Sequence, residues 1–142
     1  MRVAIGADHA GFELKDIIKQ TLDELRVAYR DFGTDSDDSV DYPDYAARVG
    51  RVVAAGEFDR GILICGTGMG MCIAANKFGG VRAVTCHDDV TAEMSRRHND
   101  ANVLSIGARV VGVGLAEEIV ATFLSTEFEG GRHARRVAQL AD

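Results

Sequence analysis

The sequence predicts an α/β domain with a five-stranded parallel sheet, helices on both faces and a C-terminal helical tail. Three observations predict it. Apolar runs of strand length alternate five times with segments of helical periodicity, an order that joins parallel strands through crossover helices. The glycines, 16 in all, cluster rather than scatter, which points to specific backbone turns and not to a flexible linker. A chain of 142 residues that is 46% hydrophobic suits a single domain, 1–142, with a core of its own. No repeat, low-complexity tract or linker divides it.

Each element has its own signal. "RVAIGA" (Arg2–Ala7) reads as a short buried strand, and Leu14, Ile17, Ile18, Leu22 and Leu25 then share one helical face. "VAYRDFG" (Val27–Gly33) reads as a second strand closed by glycine. The acidic loop "DSDDSVDYP" leads to Pro43, well placed in the first turn of a helix through Ala46, Val49 and Val53. "RGILIC" is a strongly apolar third strand and "MGMCIAANKF" a compact helix. "VRAVTC" and "ANVLSIGA" give strands four and five, followed by helices over Val90–Arg97 and Leu115–Leu124. The tail "EFEGGRHARRVAQLAD" has a glycine break and then a short basic helix. It is the one segment that looks appended, and it is expected to dock on another subunit.

The charge and cysteine content narrow the function. A net charge of -6 argues against a nucleic-acid partner. Positive charge is local instead: Arg132, His133, Arg135 and Arg136 are close together, and Arg96, Arg97 and His98 are contiguous. That suits a small anionic ligand. No apolar stretch reaches the length of a membrane span, and the first residues lack a signal-peptide layout. Three cysteines, without metal-type pairing, argue against a disulfide framework and for a reducing cytoplasm.

Chemistry-bearing residues gather where strands end. Asp8 and His9 follow the first strand; Asp8 suits capping of the next helix, and His9 beside it suits anion binding or proton transfer. Cys65 ends the third strand and precedes "GTGMG", whose glycines let successive amides converge near a helix N-terminus. The loop lacks the lysine and spacing of a Walker motif and the last spacing of a dinucleotide fingerprint. It signals an anion or oxyanion cradle, or only a tight connection. An ordinary thiol titrates near ~8.5, and a helix N-terminus lowers that value, which makes Cys65 a candidate base or nucleophile. Cys72, Cys86, Met69 and Met71 are expected to pack, and His87 to lie on the surface.

His98 and Asn99 stand between a helix and the fifth strand, and Arg109 follows that strand. His98 is either a helix-dipole partner or a site residue. Arg132 and Arg136, four apart, face the same way on a helix and can grip a phosphate, or they form a solvated basic tail. No metal-ligand spacing and no G-x-S-x-G elbow is present.

The stretches "GADHAGF", "DYPDYA", "GILICGTGMGMCIAANKFGGVRA", "SRRHNDANVLSIGARVVG" and "EGGRHARRV" resemble the ribose-5-phosphate isomerase B family, in a wider group that includes galactose-6-phosphate isomerase subunits. The resemblance covers nearly the whole chain in order. It implies a Rossmann-like fold, no cofactor, and an aldose–ketose isomerase of the pentose phosphate pathway. It also implies a homodimer or dimer of dimers with shared active sites. Carried over by position, Cys65 matches the base between C1 and C2, and Thr67 the hydroxyl that assists proton traffic. The amides of Gly66, Gly68 and Gly70, with Asn99, match the enediolate hole. Asp8 and His98 match the groups that handle the ring hydroxyl and ring opening, and His9, Arg109, Arg132 and Arg136 the phosphate ligands. Another branch of the family carries a glutamate base at the position of Met71, so this chain resembles the cysteine branch. Arg135 is an addition to the usual pattern. Competing readings are a galactose- or allose-phosphate isomerase, a non-catalytic sugar-phosphate sensor, and a thiol phosphatase, though the loop lacks the arginine that a phosphatase needs.

Overall fold

A computed structural model describes residues 1–141; Asp142, the last residue of the expected domain and of the tail, lies outside the described residues. The strands are β1 (Arg2–Ala7), β2 (Ala28–Asp31), β3 (Arg60–Cys65), β4 (Ala83–Thr85) and β5 (Val103–Gly107). The helices are α1 (Phe12–Glu24), α2 (Tyr42–Ala54), α3 (Met69–Ala75), α4 (Asp89–Arg97), α5 (Val113–Ser125) and α6 (Arg132–Ala138). Every strand pairing is parallel, in the order β2-β1-β3-β5-β4. The expected three-layer sandwich and helical tail are therefore present. Among the described residues no helix is long and apolar enough to cross a membrane.

The central strands are apolar on both faces because both faces are covered. Val3, Ile5, Ile62, Ile64, Leu104 and Ile106 join one cluster with residues of α1, α4 and α5. Ala4, Leu63, Cys65 and Val103 join a second with Ala46, Val49 and Val53 of α2 and Met71 and Ala75 of α3. Each fully buried Ile or Leu stabilises the fold by roughly 1.5–3 kcal/mol. The edge strands β2 and β4 are shorter than the apolar runs suggest. Beyond β2, Phe32 and Thr34 still donate to Ile5 and Ala7, but Gly33, at φ 99°, turns the backbone out of strand geometry.

One buried charge organises the end of β1. Lys15 of α1 is almost wholly inaccessible, and its Nζ donates to both Asp31 carboxylate oxygens, at 2.7 and 2.9 Å, and to the Thr34 carbonyl. Asp31 also accepts from the Gly33 N–H at 2.8 Å and from Lys19 at 2.9 Å. Burial works to raise the Asp31 pKa; the bonds from Lys15, Gly33 and Lys19 outweigh it and hold the carboxyl below its ordinary value. The 31–34 segment so fixed brackets Ala7 through two backbone bonds, immediately before Asp8.

The chain steps outward from β1 to β2, then crosses back to β3 on the other side of β1. Ligands of open α/β sheets bind at that reversal, beyond the C-terminal strand ends. Ala7 pairs in register with Ile64, so Asp8 and Cys65 emerge side by side there.

Candidate active site

At the switch point Asp8 is buried and its N–H donates to the Ile64 carbonyl at 3.2 Å. Its Oδ1 accepts the N–H groups of Ala10 and Gly11, at 2.9 and 3.2 Å. Asp8 thus caps the turn ahead of α1, whose N-cap residue is Gly11. Gly11 packs against the Ile64 carbonyl so closely that any side chain would collide with it. Next to Asp8, the half-buried His9 accepts the Val40 N–H at Nδ1, 3.1 Å away, which tethers the end of the acidic loop to the site.

Cys65 ends β3, buried, and its Sγ accepts the Gly68 N–H at 3.1 Å. Gly68 has φ +82°, and an added Cβ would lie 3.0 Å from Thr85 Cγ2 and 3.1 Å from the Gly107 nitrogen. Only glycine satisfies both constraints. Its carbonyl accepts the hydroxyls of Thr85 and Ser105, which anchors the turn to β4 and β5. The Gly68 amide, expected in an oxyanion hole, is therefore directed at the sulfur. Thr67 is exposed, and its Oγ1 accepts the Met69 N–H at 3.2 Å.

Arg109 completes this half. Its N–H donates to the Gly66 carbonyl at 3.0 Å, and its guanidinium lies over Gly66, with Nη1 3.2 Å from where a Cβ would stand. Tyr42 covers Gly70 in the same way, at 2.6 Å. The sequence marked "DYP" only as a helix start, and nothing in its pattern announces this contact. Met71 is fully buried, as expected; Met69, expected to pack, is instead 59% exposed, because it stands at the first position of α3, ahead of the face that α3 buries. Burial pushes the Cys86 thiol up to about 11, and Cys72 donates to the Ala83 carbonyl at 3.4 Å, so both are structural. His87 is exposed.

His98 and Asn99 lie elsewhere. They follow the C-terminus of α4 and precede β5, whereas Cys65 pairs with Gly107 at the far end of β5. The length of β5 alone, roughly 13 Å at ~3.3 Å per residue, separates the two ends of the sheet. His98 and Asn99 instead line a cavity of about 340 Å³ with His133, Arg136, Val137 and Leu140. Arg132 and Arg136 are both exposed on α6. One chain therefore assembles two groups: Asp8, His9, Cys65, Gly66, Thr67, Gly68, Gly70 and Arg109 at the C-terminal strand ends, and His98, Asn99 and the α6 arginines at the opposite end.

Two residues of the second group escaped sequence reading. Glu129 Oε2 accepts Arg97 Nε at 3.0 Å and lies 3.9 Å from His98 Nε2. The His133 ring stacks on His98 with centroids 4.2 Å apart and planes 11° off parallel. Burial, with the charges of His98, Arg132 and Arg136 nearby, holds the His133 pKa below its ordinary value.

Residues 3–140 match the family model described as Ribose/Galactose Isomerase. Ribose-5-phosphate isomerase B of Escherichia coli K12 is 54% identical over 136 residues, covering 96% of this chain and 91% of that protein. A D-erythrulose-4-phosphate isomerase of Pectobacterium atrosepticum is 43% identical, over 99% and 93% of the two chains. The structure of Clostridium thermocellum ribose-5-phosphate isomerase B superposes with a TM-score of 0.97 at 52% identity, over 99% of this chain and 95% of that one. With the fold, the thiol at the switch point and both groups of phosphate-binding candidates in place, the chain belongs to the ribose/galactose isomerase family.

Proposed function

We propose that the protein interconverts ribose 5-phosphate and ribulose 5-phosphate through an enediolate, as a cytoplasmic enzyme of the pentose phosphate pathway, with Cys65 as the base. The observation that carries this reading is the Gly68 N–H aimed at the Cys65 sulfur inside a glycine turn. A proton on carbon beside a carbonyl is weakly acidic. Its removal needs a positioned base and stabilisation of the oxygen that becomes negative. The amide donor fixes the sulfur against the turn, which positions it as a base. The remaining amides of the turn, at Gly66 and Gly70, are left to face the enediolate oxygen, with Thr67 moving protons at the sugar oxygens. Asp8 handles a ring hydroxyl. His9 and Arg109 take the phosphate with Arg132 and Arg136, and holding it far from the reacting carbons converts binding energy into orientation.

In this reading His98, Asn99, Arg132 and Arg136 act on the Cys65 group of a second copy. The opposite placement of the two groups within one chain supports it. So do α6, of which only His133 is buried, and Leu140 just beyond it, which is 64% exposed. A two-fold dimer places the second group of each chain against the first group of the other.

The test is complementation. Cys65→Ala and His98→Ala, each lacking at least ~99% of ribose 5-phosphate turnover, are unfolded together and refolded as a mixture. Recovery of about a quarter of wild-type activity is expected, half of the dimers being mixed with one intact site each. No recovery from a mixture shown to contain mixed dimers would place each site within one chain.

A second reading concerns substrate length, because a relative at 43% identity is an erythrulose 4-phosphate isomerase. Turnover of tetrose, pentose and hexose phosphates side by side separates the two, and ribose 5-phosphate is expected to give the highest kcat/KM.

A further inference from the structure

We propose that His133, together with Glu129, is a positioning residue that fixes the imidazole of His98. This rests on reading His98 as the acid that opens the sugar ring. His98 is the last residue of its helix turn and is 40% exposed, so its own backbone leaves the ring free to rotate. A face-on partner removes that freedom. The buried His133 supplies it, with its ring 4.2 Å from that of His98 and 11° from parallel. The His133 Nε2 is buried and has no hydrogen-bond partner. Buried polar atoms are almost always paired, so this nitrogen marks a ring held in place for its face and not for a hydrogen bond.

Glu129 closes the bracket. Its N–H donates to the Arg97 carbonyl at 3.0 Å, and its carboxylate accepts Arg97 Nε at 3.0 Å, which fixes the tail to the end of α4. The carboxylate then lies across the edges of both rings, 3.9 Å from His98 Nε2 and 3.7 Å from His133 Nε2. Those distances are too long for hydrogen bonds; the carboxylate is a charge that aligns two edges. The charged groups facing His98 are Arg97 of its own helix, Glu129 of the tail, and His133 and Arg136 of α6.

The same three side chains come within 4.8 Å of one another, close to the spacing of a cation site. Nearly parallel rings, however, hold their nitrogen lone pairs side by side instead of converging on one centre, and Arg97 already neutralises Glu129. The arrangement orients a ring; it does not gather ligands.

His133→Ala and His133→Phe separate a stacking role from a contact with substrate. Misaligning an acid that contributes 10²–10⁴-fold forfeits part of that factor, so His133→Ala is expected to lower kcat on ribose 5-phosphate by about tenfold, with KM within about twofold. Phenylalanine restores the face without the nitrogens and is expected to recover most of kcat. Glu129→Gln is expected to lower kcat a few-fold, again with little change in KM. Equal losses in the Ala and Phe variants, or losses confined to KM, would overturn the proposal in favour of a direct ligand. The proton spectrum gives a readout independent of turnover. The His98 Hε1 signal is expected upfield from the ring current of His133 in wild type and in His133→Phe, and at its ordinary position in His133→Ala. An unshifted signal in the wild type refutes the stack itself. Upfield shifts with no ribose 5-phosphate turnover in the wild type refute the functional reading and leave the stack standing.

Discussion

At the C-terminal end of the sheet, Cys65, Asp8 and Gly68 are held by backbone hydrogen bonds and by a lysine with 1% of its side chain exposed. At the other end, the exposed α6 arginines make no ion pair among the described residues, and His98 lies beside Arg97, whose pairs with Glu93 and Glu129 have both partners more than 40% exposed. The first group grows out of central strands and inherits their rigidity. The second is divided between the end of α4 and the short helix α6, of which only His133 is buried. The difference teaches that the proposed base is positioned by the sheet itself, whereas the groups proposed to meet it from a second copy would reach it only through assembly.

The comparison breaks most readily at the buried pair. Asp31→Asn leaves Lys15 without its counter-charge and is expected to cost about 3 kcal/mol at neutral pH. Because the folded Asp31 carboxyl titrates below its unfolded value, its contribution is full above about pH 4–5 and lost as pH falls through the folded value. Urea unfolding of wild type and variant should therefore converge toward pH 3. A difference that stays constant from pH 6 to pH 3 would show that the pair contributes no charge-dependent stability.

A smaller effect is expected at the glycine turn. Gly68→Ala forces a side chain into a left-handed backbone with neighbours at 3.0 and 3.1 Å. It should cost about 1–3 kcal/mol of stability and displace the N–H from the Cys65 sulfur. Thermal melts and kcat measured on the same preparation check both. Unchanged kcat would disconnect the Gly68 amide from the chemistry.

The smallest effect belongs to the second group. Glu93→Ala removes one exposed partner of Arg97 and is expected to change stability by less than about 0.5 kcal/mol. A loss above 1 kcal/mol would mean that this end is as tightly built as the other.

The architecture was legible in the sequence because strands and helices here follow hydrophobic period. "RGILIC" has no other way to be satisfied than burial on both faces, and Leu14, Ile18 and Leu22 share one face of α1. Cys65 was legible because its glycines follow it immediately. What stayed hidden depends on distant pairing. Lys15 reads as one more charge on an amphipathic helix, and only the sheet brings it to Asp31 and Thr34. Glu129 and His133 read as parts of a basic tail, and only the return of that tail to the end of α4 brings them to His98. The direction of the Gly68 amide depends on a backbone angle that no periodicity encodes. β2 and β4 end while their neighbours run on, β1 to Ala7 and β5 to Gly107, and the left-handed turn at Gly33 that follows β2 is a backbone angle that hydrophobic period does not record.

The bond from the Val40 N–H to His9 Nδ1 bears on how charge is divided in the pocket. A ring nitrogen that accepts a hydrogen bond carries no proton, so while the bond stands the ring presents only Nε2 as a donor. In the proposed site His9 would then meet a phosphate oxygen through Nε2 alone, and most of the compensation of the dianion would fall to the guanidiniums. Turning the ring to present Nδ1 to a ligand would break this bond, and the acidic loop, with Asp37, Asp38 and Asp41 exposed, would lose its tether at Val40. One backbone amide thereby makes the tautomer of a side chain and the position of a loop a single variable.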